Sequence, residues 1–153
     1  MSETADDLQL RAATADDRAS AGRLLAAYHA ERREPVTPDD IARAIELVLA
    51  PRGTAWMVLA QRGGVAVGLL LANPVVSPAQ GGAALRVESL YVAPQHRGRG
   101  IGRALLRYVI EESRTAGMSA VEVDALPEET AMQALCAACD FVARPRVRLS
   151  HAS

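Results

Sequence analysis

Lysine is absent from the 153 residues, and all seventeen basic side chains are arginine. That absence excludes a Walker-type phosphate loop, whose Gly-Lys-Ser/Thr end needs the lysine. Aromatic residues are few: Trp56, Phe141, Tyr28, Tyr91 and Tyr108 are the whole set. The core must therefore be aliphatic, filled by Ala, Leu and Val. No apolar run approaches the roughly 18–20 residues of a membrane span. The start of the chain, Met1 to Asp7, is polar and acidic, unlike a signal or transit peptide. The chain thus reads as cytoplasmic and soluble. A net charge of −1 supplies no basic field for nucleic acid or an anionic membrane. Cysteine is limited to Cys136 and Cys139, a lone C-x-x-C. Structural zinc takes four ligands, and neither a second pair nor an H-x3–5-H follows, with His29, His96 and His151 scattered. No metal is expected, and at i, i+3 spacing on a helix the two thiols read as small core residues.

What is present fits one domain, residues 1–153 with a core over about 8–149, since domains of roughly 100–200 residues are usual. Leu8 to Ala12 alternates as a short strand. Thr14 with Asp16 and Asp17 starts a helix that runs to about His29. Thr37-Pro38-Asp39-Asp40 starts a second, with Ile41, Ile45, Val48 and Leu49 on one face and Pro51 beyond its end. Trp56 to Ala60 and Val65 to Val76 are β-rich runs joined by a turn at Arg62-Gly63-Gly64. Ser77 to Gly82 reads as loose, and Leu85 to Val92 as a strand. An amphipathic helix spans about Gly100 to Ala116 and stops at Gly117. Ala120 to Ala125 is a strand, Glu129 to Cys139 a helix, and Phe141 to Leu149 a final strand. The order β-α-α-β-β-β-α-β-α-β predicts a single α/β (α+β) layer architecture: a mixed, mostly antiparallel sheet flanked by about four helices.

Between the strand ending at Val92 and the helix that follows lies Arg97-Gly98-Arg99-Gly100-Ile101-Gly102. Strand, glycine turn and helix start together make an anion site. Unpaired N–H groups and the helix dipole face outward there. Glycine admits close backbone approach and the positive φ angles that a nest of amides requires. Arg97 and Arg99 add forked cationic donors. A dinucleotide-binding turn is excluded. Its third glycine would fall on Arg103, and only 51 residues follow Gly102, too few for further βα units.

Val92-Ala93-Pro94-Gln95-His96-Arg97-Gly98-Arg99-Gly100-Ile101-Gly102-Arg103-Ala104-Leu105-Leu106 resembles the signature of the GNAT (Gcn5-related) N-acetyltransferases. That signature is Q/R-x-x-G-x-G/A preceded by V-x-P. Registers from Gln95 and Arg97 both match, and the spacing from Val92 and Pro94 favours Arg97. The resemblance is specific from about Glu88 to Phe141 and implies acetyl-CoA as co-substrate. Amides from Gly98 to Arg103 would hold its pyrophosphate. Leu90, Tyr91 and Val92 would pair with its pantetheine as an open strand edge, splayed from Val121 to Val123. The implied activity is direct transfer of the acetyl group to a primary amine in a ternary complex. A CoA-binding module with weak or no catalysis is the alternative. For the missing lysine, biased codon usage is a simpler reading than protection from self-acetylation.

Acetyl transfer needs a neutral amine, so a base must take its proton, and a donor must meet the charge growing on the thioester oxygen. Glu88 resembles the glutamate of members reading E-x-[LF]-[FY]-V. The other reading makes it a solvated strand residue paired with Arg86. The family places a tyrosine that protonates the leaving thiolate within N-x-x-A-x-x-L-Y-x-x-x-G-F. Ending that pattern on Phe141 puts Glu129 at the asparagine, Met132 at the alanine, Leu135 at the leucine, Cys136 at the tyrosine and Asp140 at the glycine. The departure leaves two routes open, Cys136 as the acid or water in its place. The acceptor, a small-molecule or peptide amine, would enter between the first two helices, over Tyr28 to Thr37. Glu31 and Glu34 there would draw a cation, but the mixed charge reads first as solvated loop. The resemblance also allows a homodimer through the last strands, for which the residues themselves say nothing.

Overall fold

The structure, a computed structural model, describes residues 7–153. Five strands lie in the order β1 (Leu8–Ala12), β2 (Trp56–Arg62), β3 (Val65–Ser77), β4 (Gly82–Val92) and β5 (Ala120–Val123). The first four are antiparallel neighbours, and β4 and β5 run parallel. That parallel pair requires a crossover, supplied by α3 (Ile101–Thr115). The segment read as loose is one 3-10 turn, Pro78–Gln80, so β3 and β4 form a single long hairpin.

Alternation along the strands divides the core between two faces. Met57, Leu59 and Leu69 pack against Ala21, Leu24, Leu25, Ile41 and Ile45 of α1 (Arg18–Glu31) and α2 (Pro38–Leu49). Val58, Leu70, Leu85 and Val87 pack against Leu105, Leu106 and Val109 of α3, joined by Cys136 of α4 (Thr130–Ala138). Leu59, Leu69, Leu70, Leu85, Leu105 and Leu106 are fully buried, each contributing about 2 kcal/mol of transfer free energy. At Gly68 an added Cβ would stand 3.3 Å from Leu105 Cδ1 and 3.2 Å from the Tyr91 carbonyl. The missing side chain lets α3 close on the sheet.

The expected strand from Phe141 to Leu149 does not form. Phe141 is held by its amide on the Cys136 carbonyl (3.0 Å) and packs on the core. Beyond it the segment has no secondary structure, and Val142, Val147 and Leu149 are exposed. Its alternation satisfies the strand pattern, but Pro145 cannot donate to a ladder, and a strand also needs a partner. The Arg148 side chain reaches Asp124, just past the end of β5.

Arg11 ties β1 to the start of α1 through two 2.7 Å bonds to the Asp17 carboxylate, which also accepts the Thr14 amide at 2.7 Å. These donors, the Arg11 guanidinium foremost, hold the buried Asp17 carboxyl at about 2, below its usual 3.9. A lowered carboxyl pKa stabilises the fold fully above the unfolded value, and that stability fades as the pH falls towards the folded one. Asp17→Ala is expected to lose about 2 kcal/mol at pH 7 in denaturant unfolding. The gap to wild type should narrow between about pH 4 and pH 2; a gap independent of pH would refute this origin.

Candidate active site

The parallel pairing of β4 with β5 covers four residues, Ala84↔Ala120 to Val87↔Val123. On its other side β4 slips register against β3: Leu71 opposes Ser89 while Ala72 opposes Val87. Glu88 is the extra residue of this bulge, exposed, where β4 parts from β5. A bulge bends its strand and re-aims the side chain there. From Glu88 onward, β4 has a free edge.

The orientation of that edge follows from one bond. The Ala93 amide donates to Val67 of β3 (2.8 Å), so Ala93 faces β3. Successive residues alternate sides, which turns the polar groups of Val92 and Leu90 to the free edge. The Val92 carbonyl is already used, accepting Arg97 Nε at 2.8 Å.

Beyond Val92 a 3-10 turn, Pro94–His96, leads into the glycine loop. Gly98 and Gly100 hold φ of 76° and 81°, and an added Cβ at either would meet nothing within 4 Å. The space that those side chains would fill is open. Gly102 is different, because its Cβ would come within 3.2 Å of Leu135 Cδ2. It serves the packing of α3 on α4. The starts of α2 and α3 differ. Thr37 Oγ1 caps α2 from the Asp40 amide, with Asp40 reciprocating, whereas α3 has no side-chain cap. Its first amides and dipole are left for an anion.

A cavity of about 930 Å³ opens on this loop, a size suited to a cofactor-sized ligand. Leu90, Tyr91, Val92, Arg97, Gly98, Gly100, Ile101, Gly102 and Arg103 line it, joined by the end of α1 and by residues 126–135. Arg99, Glu88 and Cys136 do not contribute to the lining. Arg97 bonds Glu31 (2.7 Å) and lies 5.4 Å above the Tyr91 ring, bracing the loop against α1. Arg86 pairs with Glu122 (3.7 Å). Cys136 is in the core, where burial pushes its thiol pKa up and the nearby Cys139 adds to the shift. Among the described residues no group of three His, Cys, Asp or Glu is placed to hold a metal ion.

Sequence reasoning did not find the Arg32 bridge. Its guanidinium, mostly buried, bonds Glu34 and, across the cavity wall, Glu129, while lying 4.9 Å over the Tyr28 ring. Glu129 also accepts the Leu126 amide (2.8 Å). Tyr28 is buried, which pushes its phenol up to about 12 and keeps it a donor; it bonds the Glu88 carbonyl at 3.3 Å. The end of α1 thus fixes both the bulge and the loop before α4. Ninety-seven residues separate Arg32 from Glu129, and no local pattern announces that contact.

A strand edge that splays from its parallel neighbour and runs into a glycine-rich helix start is what the sequence resemblance implied; the bulge at Glu88 is the structure's addition. A family model described as the acetyltransferase (GNAT) family matches residues 21–141. The chain belongs to that family. A rat protein, N-acetyltransferase family 8 member 2, is 38% identical over 82 residues, covering 54% of this chain and 35% of its own. The chain thus spans about a third of that GNAT relative's length. Solved structures with the same fold include a ribosomal-protein-alanine N-acetyltransferase from Brucella melitensis biovar Abortus 2308. Its TM-score is 0.78 at 21% identity, over 95% of this chain and 99% of that one. An aminoglycoside N-acetyltransferase in complex with CoA gives a TM-score of 0.82 at 20% identity, over 95% and 94%. Among the described residues no helix is long and apolar enough to cross a membrane.

Alanine at Gly100 would force an L-residue into a left-handed angle, costing about 1 kcal/mol, and would set a methyl group in the open cradle. Gly100→Ala is expected to bind inorganic pyrophosphate at least several-fold more weakly by calorimetry. Undiminished binding would show that the anion sits elsewhere.

Proposed function

We propose that the chain is an acetyl-CoA-dependent N-acetyltransferase, passing the acetyl group directly to a primary amine in a ternary complex. Residues 8–149 would form one such domain. The observation that carries this reading is the split of β4 from β5 at Glu88, with the uncapped start of α3 at the far end of the freed edge. One structural neighbour is named for aminoglycosides and was captured with CoA; the other is named for an alanine of a ribosomal protein. They support acetyl transfer to an amine and differ in acceptor.

On this reading the amides from Gly98 to Arg103 hold the pyrophosphate, and the edge from Leu90 to Val92 takes the pantetheine amides. Acetyl-CoA supplies the activated thioester. Glu88, at the fork, removes the proton from the acceptor ammonium, directly or through one water. The Leu90 N–H, turned to the same edge, donates to an oxygen gaining negative charge. Water protonates the departing thiolate, because Cys136 is packed in the core with its thiol pKa raised. The second reading, a CoA-binding module without catalysis, is favoured by that same burial at the tyrosine position.

Release of free CoA thiol across polyamines, aminoglycosides, amino acids and peptide N-termini separates the two. Turnover with any of them supports the transferase; binding of acetyl-CoA with no turnover supports the module. Glu88→Gln should lower kcat/KM by about 100-fold, the usual contribution of a general base, with CoA affinity unchanged. An unaltered rate would remove Glu88 from proton transfer. For Cys136, Ala and Ser variants should differ from wild type in melting temperature and not in the pH dependence of kcat.

A further inference from the structure

Three helices of this protein end alike. α3 closes with the Gly117 amide on Arg114 (3.0 Å) and the Met118 amide on Ser113 (2.9 Å), Gly117 having φ of 85°. α4 closes with Asp140 on Ala137 (3.1 Å) and Phe141 on Cys136 (3.0 Å), with Asp140 at 66°. α1 closes with Arg33 on Ala30 (3.1 Å) and Glu34 on His29 (3.0 Å), with Arg33 at 56°. Each is the double-bonded end whose left-handed residue is normally glycine. Gly117 meets that demand, and aspartate tolerates it through its short polar side chain. Arginine has neither advantage, so the end of α1 places a long side chain at an angle that L-residues disfavour.

That residue lines the cavity. Its neighbours in the run 31–34 are committed: Glu31 to Arg97, and Arg32 to both Glu34 and Glu129. Arg33 enters no ion pair among the described residues. Of the four arginines that line the cavity, Arg32 and Arg97 are held by carboxylates, and Arg103, like Arg33, enters no ion pair among the described residues. Arg103 belongs to the phosphate loop; Arg33 belongs to the link between α1 and α2.

We infer that Arg33 is retained in this strained position to recognise an oxyanion of a ligand in the cavity, either a carboxylate on the acceptor amine or a phosphate of the co-substrate. The forked guanidinium suits both groups. The inference rests on the transferase reading for its ligands, and its test separates the two.

Arg33→Gly relieves the left-handed angle, and Arg33→Gln keeps that strain but removes the guanidinium. Both should weaken the oxyanion-bearing ligand by roughly tenfold or more, the usual effect of losing a charged hydrogen bond. Arg33→Gly should melt no lower than wild type, which a merely structural arginine would not allow. Two arms find the source. Affinities for CoA and 3′-dephospho-CoA are compared by calorimetry. KM values are compared for amines that differ only in a carboxylate against its amide. A loss confined to the carboxylate amine assigns Arg33 to the acceptor, and one confined to CoA assigns it to the 3′-phosphate. Equal effects with and without the oxyanion, no effect on either, or a lower melting temperature for Arg33→Gly would each overturn the inference. A wild-type protein that binds CoA yet acetylates nothing sinks the transferase reading alone, and the phosphate arm then decides for Arg33.

Discussion

β4 and β5 share four residues of parallel ladder and then separate, because β4 carries one residue more than β3 can match. The extra residue is Glu88. A regular β4 would leave no bend to turn the strand from its neighbour, and its backbone would have no reason to stand unpaired at depth. Buried polar backbone is rarely left without a partner, so a free strand edge beside a cavity argues for a ligand that completes it. The Tyr28 hydroxyl on the Glu88 carbonyl ties this irregularity to α1. The glycine loop then lies where the freed strand ends, and the separation of strands and the open helix start become one feature.

The parts of this arrangement that depend on local chemistry were legible in the sequence. Thr37-Pro38-Asp39-Asp40 announced α2 because a capping box acts within four residues. Of the three loop glycines read as permitting positive φ, Gly98 and Gly100 adopt it, whereas Gly102 lies in α3 and is not among the positive-φ glycines; Gly117 adopts it at the end of that helix. Spacing from Val92 and Pro94 placed the loop at Arg97. The bulge was not legible, since Glu88 reads equally well as the outward member of a regular alternation. The failed last strand shows the converse limit. Arg144, Arg146 and Arg148 alternate with apolar residues as a strand should, yet alternation states only which face is polar and cannot provide a partner.

Charge was the least legible quantity. Glu31-Arg32-Arg33-Glu34 reads as a solvated link with its charges balanced in place. In the fold Glu34 meets Arg32 and His29 locally, whereas Glu31 and Arg32 reach 66 and 97 residues along the chain, to Arg97 and Glu129. Such exposed or half-buried pairs add little stability one by one. Their effect here is geometric: they set the end of α1 against the glycine loop on one side and the start of α4 on the other. Glu129 stands at the asparagine of the family pattern, a position that the sequence marked without giving it a task.

The same economy governs the helix ends. A helix terminus can be satisfied by its own side chains, which stabilises the fold, or be left open, which makes a binding site; it cannot do both. α2, away from the cavity, is capped by Thr37 and Asp40. α3, facing it, is not capped, and α1, also facing it, carries arginine where glycine would relax the backbone. The start of α4, which also borders the cavity, lacks a side-chain cap as well, and so does the start of α1, which does not border it. Strain and unmet hydrogen bonding persist in a fold only where the surrounding structure holds them and something is gained from them. The uncapped start of α3 and the left-handed Arg33 border the same cavity as the glycine loop, which joins backbone conformation to the signature sequence at one place.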